Sequence, residues 1–159
     1  MLVENGALMM VTNMYVINHF GRIKLSKKIK VINSYAFRDC TSLKKVKMPD
    51  SVTKIGFCAF YSCTSLTEVK GLDNVTKIGD YAFYDCSSLK KIEIPEGVTE
   101  IGNSLFEYCT SLTEVKGLDN VTKIGYWAFS YCSSLKTLHL SKNLKSLDAD
   151  SFYKSDNIE

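Results

Sequence analysis

The chain of 159 residues contains two prolines, one tryptophan and two histidines. It has no C-x-x-C pair, and His19 and His139 fall at unrelated places in the sequence. Structural zinc sites need cysteines or histidines paired at short spacing, so no metal site is expected. No nucleophile stands beside a base, no glycine-rich phosphate loop is present, and no pair of carboxylates converges. The sequence therefore offers no catalytic constellation and implies no cofactor. No window reaches the roughly 18 apolar residues of a membrane span. The first twenty residues are mildly apolar, carry Glu4 early and lack a basic flank. They read as a capping segment rather than a signal peptide.

What the chain has is repetition. Phe37, Phe60, Phe83, Phe106, Phe129 and Phe152 are each 23 residues apart, as are Cys40, Cys63, Cys86, Cys109 and Cys132. Leu43 to Leu135 and Ile32 to Leu147 keep the same step. A longer period lies over it. TSLTEVKGLDNVTKIG at 64–79 recurs unchanged at 110–125, so the duplicated unit is two coils. Counting back from Phe37 reaches Met14, Ile17, Phe20, Ile23 and Leu25, all apolar. The expected organisation is one repeat domain over 1–159: a degenerate N-terminal capping coil (1–31), five regular coils (32–146) and a partial C-terminal coil (147–159). Terminal repeats of a stack are atypical because their outer face meets water.

Within one coil, Ala82, Phe83, Cys86 and Leu89 follow helical spacing and predict a short helix or 3₁₀ turn. Ile92 and Ile94 alternate around Glu93, as in a strand. Val98 and Ile101 point inward on the return segment. The expected strands lie near 45–48, 68–71, 91–94, 114–117 and 137–140. Gly71 and Gly117 replace Met48 and Ile94 and predict a local bulge that turns Leu72 and Leu118 inward. The fold class expected is α/β: a right-handed solenoid with one parallel sheet and short helical or 3₁₀ segments on the opposite side. A single coil cannot bury its apolar side, whereas stacked coils form a continuous core.

The pattern I-G-x-x-A-F-x-x-C-x-S-L-x-x-V-x-I-P-x-x-V-T resembles the treponemal-type, or BspA-like, leucine-rich repeats of bacterial and protist surface proteins. The resemblance covers about residues 23 to 154. It implies a cell-surface or secreted protein that binds a protein or glycan, in adhesion to host or matrix.

The periodic cysteines sit on the apolar face beside phenylalanine and read as buried free thiols. Cys58 shares a column with Tyr35, Tyr81, Ser104, Trp127 and Asp150. It is expected to be partly exposed, which makes it the one candidate reactive thiol. Lys45, Glu68, Lys91 and Glu114 alternate in sign along neighbouring strands, a cross-strand charge ladder.

Two surface features point to binding. Tyr61, Tyr81, Tyr84, Tyr108, Trp127 and Tyr131 occupy non-core positions, and tyrosine and tryptophan dominate interface hot spots. Residues 22–54 hold ten basic residues against Asp39 and Asp50, while 55–159 hold ten basic and fourteen acidic ones. Lys44, Lys45, Lys47 and Lys54 form the core of this basic third, which suits a polyanionic ligand. No nucleic-acid motif accompanies it, which argues against nucleic acid. The reading is a non-catalytic protein- or glycan-binding module. The alternative is a structural spacer that self-associates through an open C-terminal end.

Overall fold

The computed structural model describes residues 21–158 and the backbone of two short strands before them, β1 (Val3–Glu4) and β2 (Ala7–Leu8). Met14, Ile17 and Phe20 of the expected cap lie outside the described residues. Ile23 and Leu25, which continue that register, are buried.

The coils contribute strands to two ladders of parallel strands, one on the front and one on the return side. The front ladder comprises β3 (Arg22–Lys24), β5 (Lys45–Lys47), β7 (Glu68–Lys70), β9 (Lys91–Glu93) and β11 (Glu114–Lys116). The return ladder comprises β4 (Val31–Ile32), β6 (Lys54–Ile55), β8 (Lys77–Ile78), β10 (Glu100–Ile101), β12 (Lys123–Ile124) and β13 (Ser146–Leu147). Pairing is parallel at a step of one repeat: Lys45 faces Glu68, and Lys54 faces Lys77. β1 and β2 form an antiparallel pair that joins the return ladder through β4. The return ladder corrects the expectation of a single sheet. Two-residue strands carry almost no periodicity, so the sequence hides them. Residues 137–140, expected as a strand, are not one.

The third side of each coil was expected to be helical. Among the described residues there is no helix. This side is instead an arc of successive turns with two residues per coil at positive φ. One set is Tyr35, Cys58, Tyr81, Ser104 and Trp127; the other is Asp39, Ser62, Asp85, Tyr108, Tyr131 and Lys154. The hydrogen bonds explain the geometry. The N–H groups of Ala82, Tyr84 and Cys86 donate three residues back within their own coil. Those of Tyr81, Phe83 and Asp85 donate to the carbonyls of Asn103, Leu105 and Glu107 in the next coil. A helix would keep every donor at home. The left-handed residues, each costing about 1–2 kcal/mol, turn alternate donors outward and make the arc a third inter-coil ladder. Apolar spacing along such turns imitates one face of a helix.

The core runs along the axis. Phe60, Phe83, Phe106 and Phe129 are fully buried. Their rings continue a stack that starts at Phe37, with centroids 5.1–5.8 Å apart. Stacked aromatic pairs contribute about 0.5–1.5 kcal/mol each beyond the area they bury. Leu72 and Leu118 are buried, and Gly71 and Gly117 have φ of 74° and 77°. A Cβ at either glycine would overlap the carbonyl oxygen of Met48 or Ile94 in the preceding coil. The glycines thus permit a close approach that no other residue allows.

The ladders are not continuous along the stack. The front ladder pairs β3–β5–β7 and β9–β11 but not β7 with β9. It opens after each glycine coil, since the segment following β11 is not a strand either. At the first opening the return ladder is broken as well: β8 and β10 do not pair. Thr76 donates to Thr53, and Thr122 to Thr99, but no bond joins Thr99 to Thr76. Among the described residues, the coils holding Gly71 and Ile94 are therefore parted on both sheet faces. They stay joined at the arc. There Asp80 accepts from Asn103 N at 3.0 Å and Nδ2 at 3.2 Å, and Phe83 meets Phe106 at the widest ring spacing, 5.8 Å.

Candidate binding surfaces

Lys45 and Lys47 flank the inward Val46 on β5, and strand alternation sends both lysines to solvent. Lys44 is exposed just before them. A recess of about 250 Å³ on this face is lined by Arg22, Lys45, Lys47, Glu68 and Lys70. Lys54 lies apart from them, on β6 of the return ladder, facing Lys77. The four lysines singled out from the sequence are thus divided between two faces.

The charge ladder forms in part. Lys45 meets Glu68 at 3.2 Å and Lys91 meets Glu114 at 2.7 Å. Lys70 and Lys116 add second partners at 2.8 and 3.2 Å. These lysines hold the carboxyls of Glu68 and Glu114 below the usual range. No ion pair joins Glu68 to Lys91 among the described residues, because the parted front ladder separates them. Each sheet face of that seam carries a cleft. The front one, about 380 Å³, exposes Lys70, Asp73, Glu93 and Glu96. The back one, about 490 Å³, exposes Phe57, Lys77, Asp80 and Glu100.

The arc carries the aromatic candidates. Tyr61 and Tyr84 stack at 4.5 Å, and Tyr108 and Tyr131 stack at 4.5 Å. Tyr84 and Tyr108 meet edge to face at 5.5 Å, which makes one strip of the four. Tyr153 extends it beyond Tyr131 at 5.7 Å, and Tyr81 touches Tyr84 at 5.9 Å. Trp127 packs on Tyr126 at 4.4 Å and makes no ring contact with the strip among the described residues. The strip changes column midway. Tyr61 and Tyr84 share a column with Glu107 and Ser130, whereas Tyr108 and Tyr131 sit one residue later, at the positive-φ positions.

Several residues of this surface escaped the sequence reading. Phe57, 40% exposed, bridges Tyr35 and Tyr81. Arg38 lies over the rings of Tyr35 and Tyr61 at 5.8 and 5.2 Å. Glu107 is 6% exposed, and burial pushes its carboxyl up, only partly countered by the neighbouring Ser104 hydroxyl. Ser104 Oγ is buried with no aligned hydrogen-bond partner. The sequence signal for Glu107 was an acid interrupting a tyrosine column.

All six cysteines are free and buried. Cys58 was expected to be partly exposed; it is 6% exposed, and burial raises its thiol pKa. Tyr35 and Trp127 share its left-handed φ yet are 37% exposed, whereas the small side chains of Cys58 and Ser104 are buried, so the column is covered except where a large ring reaches out. Cys86 and Cys109 are held well above the usual thiol range by burial, and Cys132 is pushed up to about 12. No group of three potential metal ligands and no helix long and apolar enough to cross a membrane occurs among the described residues.

The comparison with curated proteins gave no match. Among solved structures, a leucine rich cell surface protein from Faecalibacterium prausnitzii is 36% identical, with a TM-score of 0.75 over 84% of this chain and 36% of its own. A leucine-rich repeat protein from Bacteroides ovatus is 29% identical, with a TM-score of 0.64 over 86% of this chain and 47% of its own. A leucine-rich repeat protein from Eubacterium ventriosum, 24% identical with a TM-score of 0.62 over 84% of this chain and 42% of its own, shares the fold. The chain thus spans between about a third and a half of these proteins. The family described as a BspA type leucine rich repeat region matches residues 30–159 in 6 copies. That match covers most of the sequence, and the chain belongs to the BspA-type leucine-rich repeat family.

Proposed function

We propose that this chain is a non-catalytic module that binds a protein or glycan along the tyrosine strip of the arc, in adhesion to host or matrix at a cell surface. The carrying observation is the chain of ring contacts from Tyr61 through Tyr84, Tyr108 and Tyr131 to Tyr153. Tyrosine offers a large rigid contact area at low entropic cost, and the αL backbone fixes Tyr108 and Tyr131 further. The similarity to a cell surface protein supports the location.

The test is a binding screen against matrix proteins and a glycan array, with Tyr84→Ala and Trp127→Ala as variants. Docking on the aromatics predicts little salt dependence and loss of binding on Tyr84→Ala. Attraction through Lys44, Lys45 and Lys47 predicts binding to heparin that weakens with salt. If heparin, a neutral glycan and matrix proteins all fail, the second reading stands: a spacer segment of a longer repeat protein. The inter-coil bonding of the arc, repeated from coil to coil, favours that reading, and light scattering would detect its self-association.

A further inference from the structure

The middle of the tyrosine strip holds a group that a purely stacking surface does not need. Glu107 occupies the place in its column where a third tyrosine would continue Tyr61 and Tyr84. It is 6% exposed. It follows Tyr84 by one repeat and immediately precedes Tyr108, and the Asp85 N–H donates to its carbonyl across the coils, so it stands beside the edge-to-face pair the two tyrosines form. Ser104 Oγ is buried beside it without an aligned partner. Burying a carboxylate without a cation is costly, and no ion pair to Glu107 occurs among the described residues.

The strip also shows which ligands its rings accept. At one end the Arg38 guanidinium lies 5.2 Å from the Tyr61 ring centroid. At the other, the Lys154 ammonium lies 5.8 Å from that of Tyr153. A cation over tyrosine is attracted by the ring quadrupole, more strongly when partly desolvated. Only the middle combines such rings with a buried negative charge.

We propose that Glu107, between Tyr84 and Tyr108, is the receiving site for a basic side chain, arginine above all, presented by a protein partner. The carboxylate supplies the charge and the two rings supply cation–π contact. The proposal rests on reading the strip as the binding face, and chooses a protein with an exposed basic residue over a neutral glycan.

The test is an NMR titration of the full chain with Ac-Gly-Arg-Gly-NH₂, using Ac-Gly-Gln-Gly-NH₂ as the uncharged control. The expected result is saturable, millimolar binding of the arginine peptide that shifts the ring resonances of Tyr84 and Tyr108. Glu107→Gln should weaken it about tenfold or more, the loss of one partly desolvated charged contact. This variant relieves a buried charge and keeps its fold, which the melting temperature verifies. Equal binding by Glu107→Gln, equal binding of the glutamine peptide, or no shift at these rings overturns the proposal. A matrix protein whose capture is abolished by Tyr84→Ala but untouched by Glu107→Gln would leave the strip as the binding face and remove the cation site. Capture untouched by Tyr84→Ala would remove the strip reading itself.

Discussion

The thiol of Cys86 donates to the backbone carbonyl of Phe60, 26 residues earlier and one coil away, at 3.3 Å. Cys63, Cys109 and Cys132 repeat the contact with Phe37, Phe83 and Phe106 at 3.0–3.2 Å. In the last coil Ser155 stands in the cysteine register and donates to Phe129 at 2.6 Å. The column is therefore a row of donors as well as a row of small apolar groups. Cys86→Ser should keep the bond and cost no more than about 1 kcal/mol. Cys86→Val, which fills the space but cannot donate, should cost more, by the net value of a hydrogen bond, about 0.5–1.5 kcal/mol. Denaturant unfolding of the two variants decides. A valine variant as stable as the serine one would mean that the column is held by packing alone.

The parted coils make a prediction about exchange. The amides of Thr76, Gly79, Thr122 and Gly125 donate across the return ladder to the coil before. Those of Thr99 and Gly102 have no such bond. Hydrogen exchange at Thr99 and Gly102 should be faster than at Thr122 and Gly125 by about tenfold or more, since unbonded amides near the surface need no opening step. Equal protection of all four amides would mean that the seam is closed in solution.

How much of this could be read in advance follows from which interactions leave a mark on residue type. Phe83, Cys86 and Leu89 recur at fixed step because a stacked core needs the same side chain in every layer, so the solenoid and its core were legible. The arc was misread because Ala82, Phe83 and Cys86 keep the same spacing on a helix and on a run of turns. The left-handed positions are held by Tyr81, Asp85 and Trp127 rather than by glycine, so the usual marker is missing. The seam was hidden for another reason. Thr76 and Thr99 are the same residue in the same register, yet only one bonds to the coil before it. Two traces stand beside the seam: Gly71, which approaches Met48 closely in the coil before it, and Gly97, which stands in the column where Ser51, Asn74 and Asn120 bond the preceding coil. Of the candidate site, the tyrosines were legible as surface aromatics, but their joining across two columns depends on backbone geometry.

Gly117 tests that account of spacing. Its φ is 77°, and a Cβ there would overlap the Ile94 carbonyl oxygen. Gly117→Ala should destabilise by roughly 2 kcal/mol or more, since strain at a left-handed site and a backbone clash act together. The neighbouring pair Ile94 N–H to Lys116 carbonyl, 2.8 Å, should weaken with it. Thermal and urea unfolding would read the loss. By contrast Gly97→Ala, at an exposed glycine without positive φ and with the Thr76 methyl the nearest neighbour at 3.0 Å, should change stability far less. Similar costs at the two sites would show that Gly117 is not the point of close contact.

The last prediction concerns the pH dependence of stability and turns on Glu107. Burial raises its carboxyl pKa in the folded chain. The folded state therefore holds this proton more tightly than the unfolded state does. By linkage, stability falls as pH rises from the ordinary carboxylate range through the raised value, and stays lower above it. Glu68 and Glu114 act in the opposite sense. Lysines lower their pKa values, so their contribution is present above the ordinary range and is lost as pH falls through the lowered values. The two effects separate by mutation. Glu107→Gln removes the charge and keeps the shape, so it should raise the melting temperature at pH 7. The gain should shrink as pH falls and vanish below about pH 4, where the glutamate in both states is protonated. Glu68→Gln should instead lower the melting temperature slightly at pH 7, the effect fading on acidification and in high salt, as for an exposed pair. Melting curves of the three proteins between pH 3 and pH 7 provide the measurement. A Glu107→Gln variant less stable than the parent at pH 7 would mean that the carboxylate is satisfied within the fold, and that it is not held at the cost of stability for a cation to come.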